Sequence, residues 1–216
     1  MKRSHNGPDT RTALLEAAVF CFAERGFDGA SIRMIADRAG RPISLISHHF
    51  GGKEGLYLET FKFIINRPEL APLMGRSTAP PPRNRAEAIH QFRECIHALY
   101  TQTSDILYRF DPLADSGRTL FLRELHSPRP EIFALVQDHM RPWKDQVHAC
   151  ITILQPGLQE AEIAVVGASI TGQAIIHGLA QILLESIWGP NSLTQFKTAE
   201  ILTDLALRGL GVTLEG

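Results

Sequence analysis

The chain has 216 residues, of which 44% are hydrophobic and 21% charged, values ordinary for a soluble globular protein of one or two domains. Its net charge of −1 argues against a polycation that coats nucleic acid. Three cysteines lie far apart without a CxxC pair, which argues against a disulfide framework or a zinc ribbon.

Helical periodicity runs through almost the whole sequence, and no alternating run of β-branched residues predicts a strand. Ser31 is placed to cap a short second helix that Gly40 ends. Pro42 suits the first turn of a third helix, and Lys53 begins a longer fourth one. The four N-terminal helices are predicted at about 10–26, 31–40, 42–50 and 53–67.

Residues 68–84 contain five prolines with Gly and Ser, a composition that predicts a linker or surface loop. Helical patterns resume beyond it, with 104–116 ambiguous and Pro142 expected to kink its helix. The predicted C-terminal helices are 85–103, 118–126, 131–154, 159–188 and 192–209. Polar residues interrupt the apolar stretch 163–188, which favours a buried helix over a membrane span. No apolar segment follows the first ten residues as in a signal peptide, so we expect a cytoplasmic protein.

A short helix, a turn at Gly40 and a second short helix are typical of a helix-turn-helix. In such a motif the second helix enters the major groove, with polar residues outward and apolar residues anchoring it. The expected anchors are Ile43, Ile46 and Phe50, and the expected outward residues are Arg41, Ser44, Ser47 and His48. Residues 1–56 hold eight Lys and Arg against six Asp and Glu, whereas the remainder is net negative. Phosphate contact is therefore expected in this part of the chain.

Two segments, AVFCFAERGFDGASIRMIADRAG and ISLISHHFGGKEGLYLETF, resemble the DNA-binding domain of TetR/AcrR-family transcriptional regulators. The likeness covers about 45 positions. It implies phosphate contacts by Ser31, His49, Lys53 and Arg41, and base contacts by Pro42, Ser44, Leu45 and His48. Arg33 and Ser47 complete the expected DNA-binding set, although the alternative for Arg33 and Arg41 is a solvated surface charge. Ala30, Arg41 and Ser47 depart from the usual Thr, Val and Tyr of the family, so this protein's DNA preference is expected to differ.

The adjacent pair His48 and His49 could instead suggest a metal site. Neighbouring residues on a helix point about 100° apart, and no cysteine or further histidine lies nearby. We therefore expect contact with DNA or packing beside Phe50, and neither a metal nor another cofactor.

The C-terminal segments FLRELHSPRPEIFALVQDHMRPW and VVGASITGQAIIHGLAQ resemble the narrower CecR-like subgroup. The family resemblance implies a ligand pocket and a homodimer interface here. Small residues on one helix face predict the dimer interface: Gly167, Thr171, Ala174 and Gly178. The candidate ligand-binding residues are Arg123, Trp143, Gln173 and His177. The alternatives are a salt-bridge network of Arg118, Arg123, Glu124 and His126, core packing for Trp143, and hydrogen bonds across the dimer for Gln173 and His177.

The sequence thus predicts an all-α protein with an N-terminal three-helix helix-turn-helix domain (1–56) and a C-terminal helical ligand-binding and dimerisation domain (57–216). The second domain includes a connecting helix (57–67) and the Pro-rich loop (68–84). No catalytic motif is present, so no enzyme is expected. The implied function is a homodimeric repressor that a largely apolar small molecule releases from a palindromic double-stranded DNA operator, with no membrane partner. An activator, a ligand-independent DNA-binding protein, or a helical enzyme or adaptor stay open as alternatives.

Overall fold

The computed structural model describes residues 9–67, 79–108, 111–126, 128–179, 181–190 and 193–213. Every regular element in these ranges is an α-helix, so the predicted all-α fold is confirmed. The helices are α1 (Thr10–Gly29), α2 (Ile32–Ala39), α3 (Ser44–Phe50), α4 (Lys53–Ile65), α5 (Arg85–Tyr108), α6 (Pro112–His126), α7 (Pro130–Leu154), α8 (Glu160–Leu179), α9 (Gln181–Trp188) and α10 (Gln195–Gly209).

Most predicted helices are observed, with differences at their ends. Helix α1 continues three residues past Gly26, which has a φ of 70° and interrupts the helical backbone. Helix α3 begins at Ser44, not at Pro42. Pro142 lies inside α7, which continues through it. Of the predicted loop 68–84, residues 68–78 lie outside the described part of the chain, and 79–84 are not helical.

The chain divides into two compact units, one from residues 1–71 and 110–137 and the other from 72–109 and 138–216. We call these the N-terminal unit and the C-terminal unit. The predicted boundary between residues 56 and 57 is not a packing boundary. Leu56, Tyr57 and Phe61 of α4 are buried in one core with α1, and α6 contributes Leu120 to it. Apolar burial therefore joins the helix-turn-helix to α4, α6 and the start of α7.

The core of the N-terminal unit centres on Phe22 of α1, which is fully buried. The Tyr57 ring meets the Phe22 ring edge-on at 4.8 Å and the Phe27 ring at 5.0 Å between centroids. Ile35 of α2 and Ile46 of α3 are also fully buried in this cluster. The short helices α2 and α3 are thus held by tertiary packing, because helices of this length have little stability alone.

In the C-terminal unit, α5 packs against α8 and α10. The Arg85 guanidinium donates to the carbonyl oxygen of Leu154 at 3.0 Å and to that of Gly211 at 3.1 Å. Gln155 donates to the Leu210 carbonyl at 2.8 Å. The ends of α7 and α10 are therefore tied to the beginning of α5. Among the described helices, none combines the length and apolarity that crossing a bilayer requires.

Candidate nucleic-acid interface

The turn between α2 and α3 has the geometry of a helix-turn-helix connection. Gly40 adopts the left-handed conformation, with φ 62° and ψ 37°, a region that glycine enters without steric cost. Its N–H donates to the Ala36 and Asp37 carbonyls, and the Arg41 N–H donates to the Ala36 carbonyl at 3.0 Å. At the other end of α2, the Ser31 hydroxyl accepts from the Met34 N–H at 3.2 Å. The Ser31 oxygen thus caps α2, which is a structural role.

Helix α3 is anchored by Ile46 and Phe50, as predicted, but not by Ile43. Ile46 is 0% and Phe50 7% exposed, whereas Ile43 is 45% exposed. Ile43 is the N-cap residue of α3, and its side chain stays exposed although its backbone angles, φ −58° and ψ −30°, are helical. Leu45 is half-buried against the core instead. The sequence predicts that Leu45 contacts a base, but a half-buried side chain has little exposed surface for such a contact.

The outward face of this segment is otherwise largely polar. The exposed residues are Pro42, Ile43, Ser44, Ser47, His48 and His49. The His48 and His49 rings lie 5.1 Å apart between centroids. Among the described residues no group of three or more His, Cys, Asp or Glu is placed to hold a metal ion. This face therefore offers hydroxyl and imidazole groups, which suit hydrogen bonds to bases and phosphates.

The basic residues of the predicted interface differ in their freedom. The Lys53 ammonium donates to the Asp28 carbonyl at 3.4 Å and lies 4.6 Å from the centre of the Phe27 ring. Arg33 is 85% exposed, and its Nε lies 3.9 Å from the Asp37 carboxylate. Arg41 is half-buried, and its Nε is buried without a hydrogen-bond partner in the described residues. Lys53 therefore ties α4 to the end of α1 in this state, while Arg33 is open to solvent.

Helices α3 and α4 meet at very close range. Gly51 and Gly52 join them with φ values of 73° and 133°, both in the region that favours glycine. In the first turn of α4, a Cβ on Gly55 would lie 1.9 Å from the Phe50 carbonyl oxygen. The position of α3 therefore depends on the absence of a side chain at residue 55.

A buried hydrogen-bonded cluster links α4 to the α6–α7 region within the N-terminal unit. The Tyr57 hydroxyl donates to the Glu124 carboxylate at 2.5 Å. The same carboxylate accepts from the Arg129 guanidinium at 2.5 Å and from the Arg129 backbone N–H at 2.9 Å. Burial, and next the hydrogen bond to Glu124, raise the pKa of Tyr57 far above its ordinary value.

This cluster replaces part of the predicted salt-bridge network. Arg118 pairs with Asp115 at 2.6 Å, and Arg123 donates to the Ala23 carbonyl at 3.1 Å. These two bonds do not involve Glu124. The side chain of His126 lies outside the described residues. Tyr57 is 67 residues away from Glu124, and Arg129 lies within the SPRP break, so helical periodicity could not identify either as a partner of Glu124.

The four candidate ligand-binding residues differ in their surroundings. Arg123 is exposed in the N-terminal unit, with its Nε bonded to the Ala23 carbonyl. Trp143 is buried in the C-terminal unit, and its indole N–H has no partner among the described residues. Gln173 is exposed on α8, and His177 lies on α8 with a side chain outside the described residues. The sequence missed His97 of α5, whose Nε2 is also buried and unpartnered in the described part of the chain.

The predicted dimer face of α8 is partly buried within its own unit. Ala174 is 0% and Ile170 6% exposed, while Gly167 and Thr171 are half-buried. Gly178 lies on α8, but its surroundings fall outside the described set. The prediction for Ala174 is therefore corrected, because this residue packs inside the unit. The opposite face presents Val165 and Ile176, at 66% and 56% exposed.

Comparison with known proteins agrees with this local geometry. Residues 14–60 match the family model described as bacterial regulatory proteins, tetR family. These residues form a TetR-family N-terminal domain. The match spans α1, the α2–Gly40–α3 turn and the first part of α4, so the TetR-family domain includes all the DNA-binding residues predicted above.

Curated relatives of the TetR-family domain are named as transcriptional regulators. The chain is 44% identical over 50 residues to the transcriptional repressor AcnR of Corynebacterium glutamicum, covering 23% of this chain and 27% of that protein. It is 37% identical over 86 residues to the transcriptional regulator BetI of Pectobacterium atrosepticum, covering 39% and 44% respectively. The chain thus spans less than half the length of these relatives, which are regulators and not enzymes, in line with the expectation from the sequence. They do not confirm the CecR-like subgroup.

Solved structures share the fold over nearly the whole chain. A putative transcriptional regulator from Pseudomonas aeruginosa PAO1 has a TM-score of 0.59 at 21% identity and covers 93% of this chain and 89% of that one. The TetR-family regulator PfmR from Thermus thermophilus has a TM-score of 0.57 at 17% identity, covering 97% and 100%. At these identities the likeness concerns the fold alone.

Proposed function

We propose that this chain is a DNA-binding transcriptional regulator that acts as a homodimeric repressor. The observation that carries the proposal is the α2–Gly40–α3 turn of the TetR-family domain, with Ile46 and Phe50 anchoring α3 and Ser44, Ser47 and His48 exposed. A helix held in this way can lie in the major groove. Relatives named as repressors and regulators support the same conclusion.

The partner for dimerisation would be a second copy through the last helices of the C-terminal unit. Large apolar side chains are exposed on α8, α9, α10 and at the position two residues ahead of α10: Val165, Ile176, Ile187, Trp188, Leu193, Phe196, Ile201 and Leu205. Exposed apolar side chains in this number on the last three helices favour an interface, since a monomer rarely leaves a large apolar area uncovered. A two-fold dimer would place two copies of α3 on a palindromic operator, one per half-site.

The effector of the proposed repressor would bind in the C-terminal unit. Two ring nitrogens there, His97 Nε2 and Trp143 Nε1, are buried without a partner among the described residues. Buried polar atoms are nearly always hydrogen-bonded, so each of these is a candidate contact for a bound molecule. The effector we propose is a mostly apolar small molecule with polar atoms that pair with these nitrogens, and it would release DNA by favouring a different spacing of the two α3 helices.

DNA binding tests the proposed function directly. Fluorescence anisotropy with DNA from upstream of the protein's own gene should show sequence-selective binding that weakens as salt rises. Lys53→Ala should weaken binding to all sequences alike and lower the salt slope by about one, because one phosphate contact is lost. Ser44→Ala and His48→Ala should instead change which sequence is preferred.

Lys144→Ala is the matched control, since it removes the same charge from an exposed lysine of the C-terminal unit. Because Lys53 also contacts Asp28 and Phe27, the thermal unfolding midpoint of the Lys53→Ala variant is measured alongside. The proposed function is wrong if the wild-type protein binds no sequence selectively. The assignment of Lys53 is wrong if binding declines only in step with the fraction unfolded, at an unchanged salt slope.

A further inference from the structure

The exposed surface around the start of α3 includes a large apolar side chain, which cannot take part in hydrogen bonding. Ile43 is 45% exposed beside the exposed Pro42 and Ser44. Among the described residues of the N-terminal unit, the other exposed large hydrophobic side chains are Met34, Leu122 and Phe133. Ile43 is the member of this set that lies between Gly40 and Phe50, on the face proposed to meet the bases. Its branched chain is therefore available to a ligand on that face.

We infer that Ile43 is a base-reading residue whose side chain covers the C5 methyl group of a thymine in the major groove. This inference rests on the proposed DNA-binding function. An isoleucine side chain neither donates nor accepts a hydrogen bond, so it cannot read the polar edges of the bases. The thymine methyl is the apolar group that base pairs present in the major groove. Covering it removes apolar surface of both partners from water.

The backbone holds Ile43 in place before any DNA is bound. The Ile43 carbonyl accepts from the Ile46 N–H at 3.0 Å, and Ile46 is fully buried in the core. On the other side, the Arg41 N–H is bonded to the Ala36 carbonyl at 3.0 Å. Because these hydrogen bonds fix the backbone at Arg41 and at Ile46, on either side of Ile43, little backbone ordering is required for the contact. The Ile43 side chain can therefore discriminate between bases.

The experiment combines a protein variant with a base lacking only the methyl group. The preferred site of the wild-type protein is first selected from a random double-stranded DNA library. Each thymine of that site is then replaced in turn by deoxyuridine, and the Kd is measured by fluorescence anisotropy. We expect one position in each half-site at which the replacement weakens wild-type binding about fourfold, the loss expected for one uncovered methyl group.

The variants assign that loss to a residue. Ile43→Ala should bind the thymine and deoxyuridine sites equally at that position, and Ile43→Val should keep part of the difference. Leu122→Ala is the matched control, because Leu122 is a 39% exposed apolar residue of α6 in the same unit, and it should behave as wild type.

Two outcomes would overturn the inference while leaving the proposed function intact. In one, the wild-type protein selects a sequence but no deoxyuridine replacement weakens binding. In the other, Ile43→Ala shows the same loss as wild type, so that another residue contacts the methyl group. If the wild-type protein selects no sequence, the proposed function fails first and the inference falls with it.

Discussion

At the residue scale, Tyr57 has the most specific role in the N-terminal unit. Its hydroxyl donates to the buried Glu124 carboxylate, which also forms an ion pair with Arg129. Removing one donor from a buried carboxylate leaves part of its hydrogen-bonding capacity unmet, and this costs more than the loss of an exposed bond. The ring itself packs against Phe22 and Phe27, so the hydroxyl can be removed without changing the core shape.

Tyr57→Phe is therefore expected to lower the free energy of unfolding by about 2 kcal/mol. The measurement is urea denaturation followed by circular dichroism. Thr119→Ala is the control, since it removes an exposed hydroxyl bond on α6 of the same unit and should cost less than about 0.5 kcal/mol. Equal midpoints for Tyr57→Phe and wild type would contradict the role assigned to the hydroxyl.

Because of the buried Cys150 thiol, the C-terminal unit should lose stability at alkaline pH. Burial, reinforced by the neighbouring Cys95 and opposed by a hydrogen bond with Gln146, raises the pKa of Cys150 from 9.0 to about 12. Above pH 9 the unfolded chain loses this proton while the folded chain keeps it, so the unfolded state binds fewer protons. The free energy of unfolding must therefore fall as pH rises from 9 toward 12.

The check is a series of unfolding curves from pH 7 to 11 for wild type and Cys150→Ala. Below pH 9 the two stability profiles should run parallel, because the thiol is protonated in both states. Above pH 9 the wild-type profile should fall more steeply. Parallel profiles over the whole range would show that the Cys150 thiol is not protected from ionisation by the fold.

At the scale of elements, the junction between α3 and α4 is the most sterically restricted part of the TetR-family domain. Gly55→Ala should destabilise the domain by about 3 kcal/mol, because its Cβ would overlap the Phe50 carbonyl oxygen and displace α3. Gly117→Ala on α6 of the same unit is the control: the nearest atoms to its Cβ would be Ile64 side-chain carbons at 3.7 Å, an ordinary contact distance, so stability should be kept or rise by roughly 0.5–1 kcal/mol. Thermal unfolding and DNA binding are both measured. Normal stability in Gly55→Ala would show that α3 and α4 can separate without cost.

The same elements show how far the sequence could predict the structure. The helices and the Gly40 turn follow from local rules of periodicity and capping, and they were found near their predicted positions. The predicted role of Ile43 was wrong because periodicity does not tell which side chains the rest of the unit covers, and Ile43 stays 45% exposed at the N-cap of α3. On α8, apolar and small residues occur all around the helix, so the pattern could not tell that Ala174 faces inward and Ile176 outward. The Glu124 cluster depends on residues that only the tertiary fold brings together.

At the scale of the whole molecule, the proposed dimer depends on the exposed apolar surface of α8 and α10. Ile176→Glu combined with Leu205→Glu places two charges on side chains that are 56% and 58% exposed, so the unit should fold but fail to pair. Analytical ultracentrifugation should show a monomer, and operator binding should weaken on the order of a hundredfold because two half-sites are no longer bound together.

Phe133→Glu, at a 53% exposed position of the N-terminal unit, is the control for that double variant and should stay dimeric. Circular dichroism verifies that the helical content is kept in both proteins. If the double variant sediments as a dimer, the two copies meet through another surface. If wild type itself sediments as a monomer at micromolar concentration, the dimer proposal is wrong.

The two hydrogen bonds of Arg85 have a consequence for how the C-terminal unit unfolds. Through the Gly211 carbonyl, this side chain joins positions 126 residues apart and closes the intervening chain into a noncovalent loop. Closing a long loop costs chain entropy once, and the cost grows only slowly with length. Opening either end therefore also releases the restraint on the other. The beginning of α5 and the end of α10 should exchange their amide protons as one cooperative group, rather than fraying independently as two helix ends.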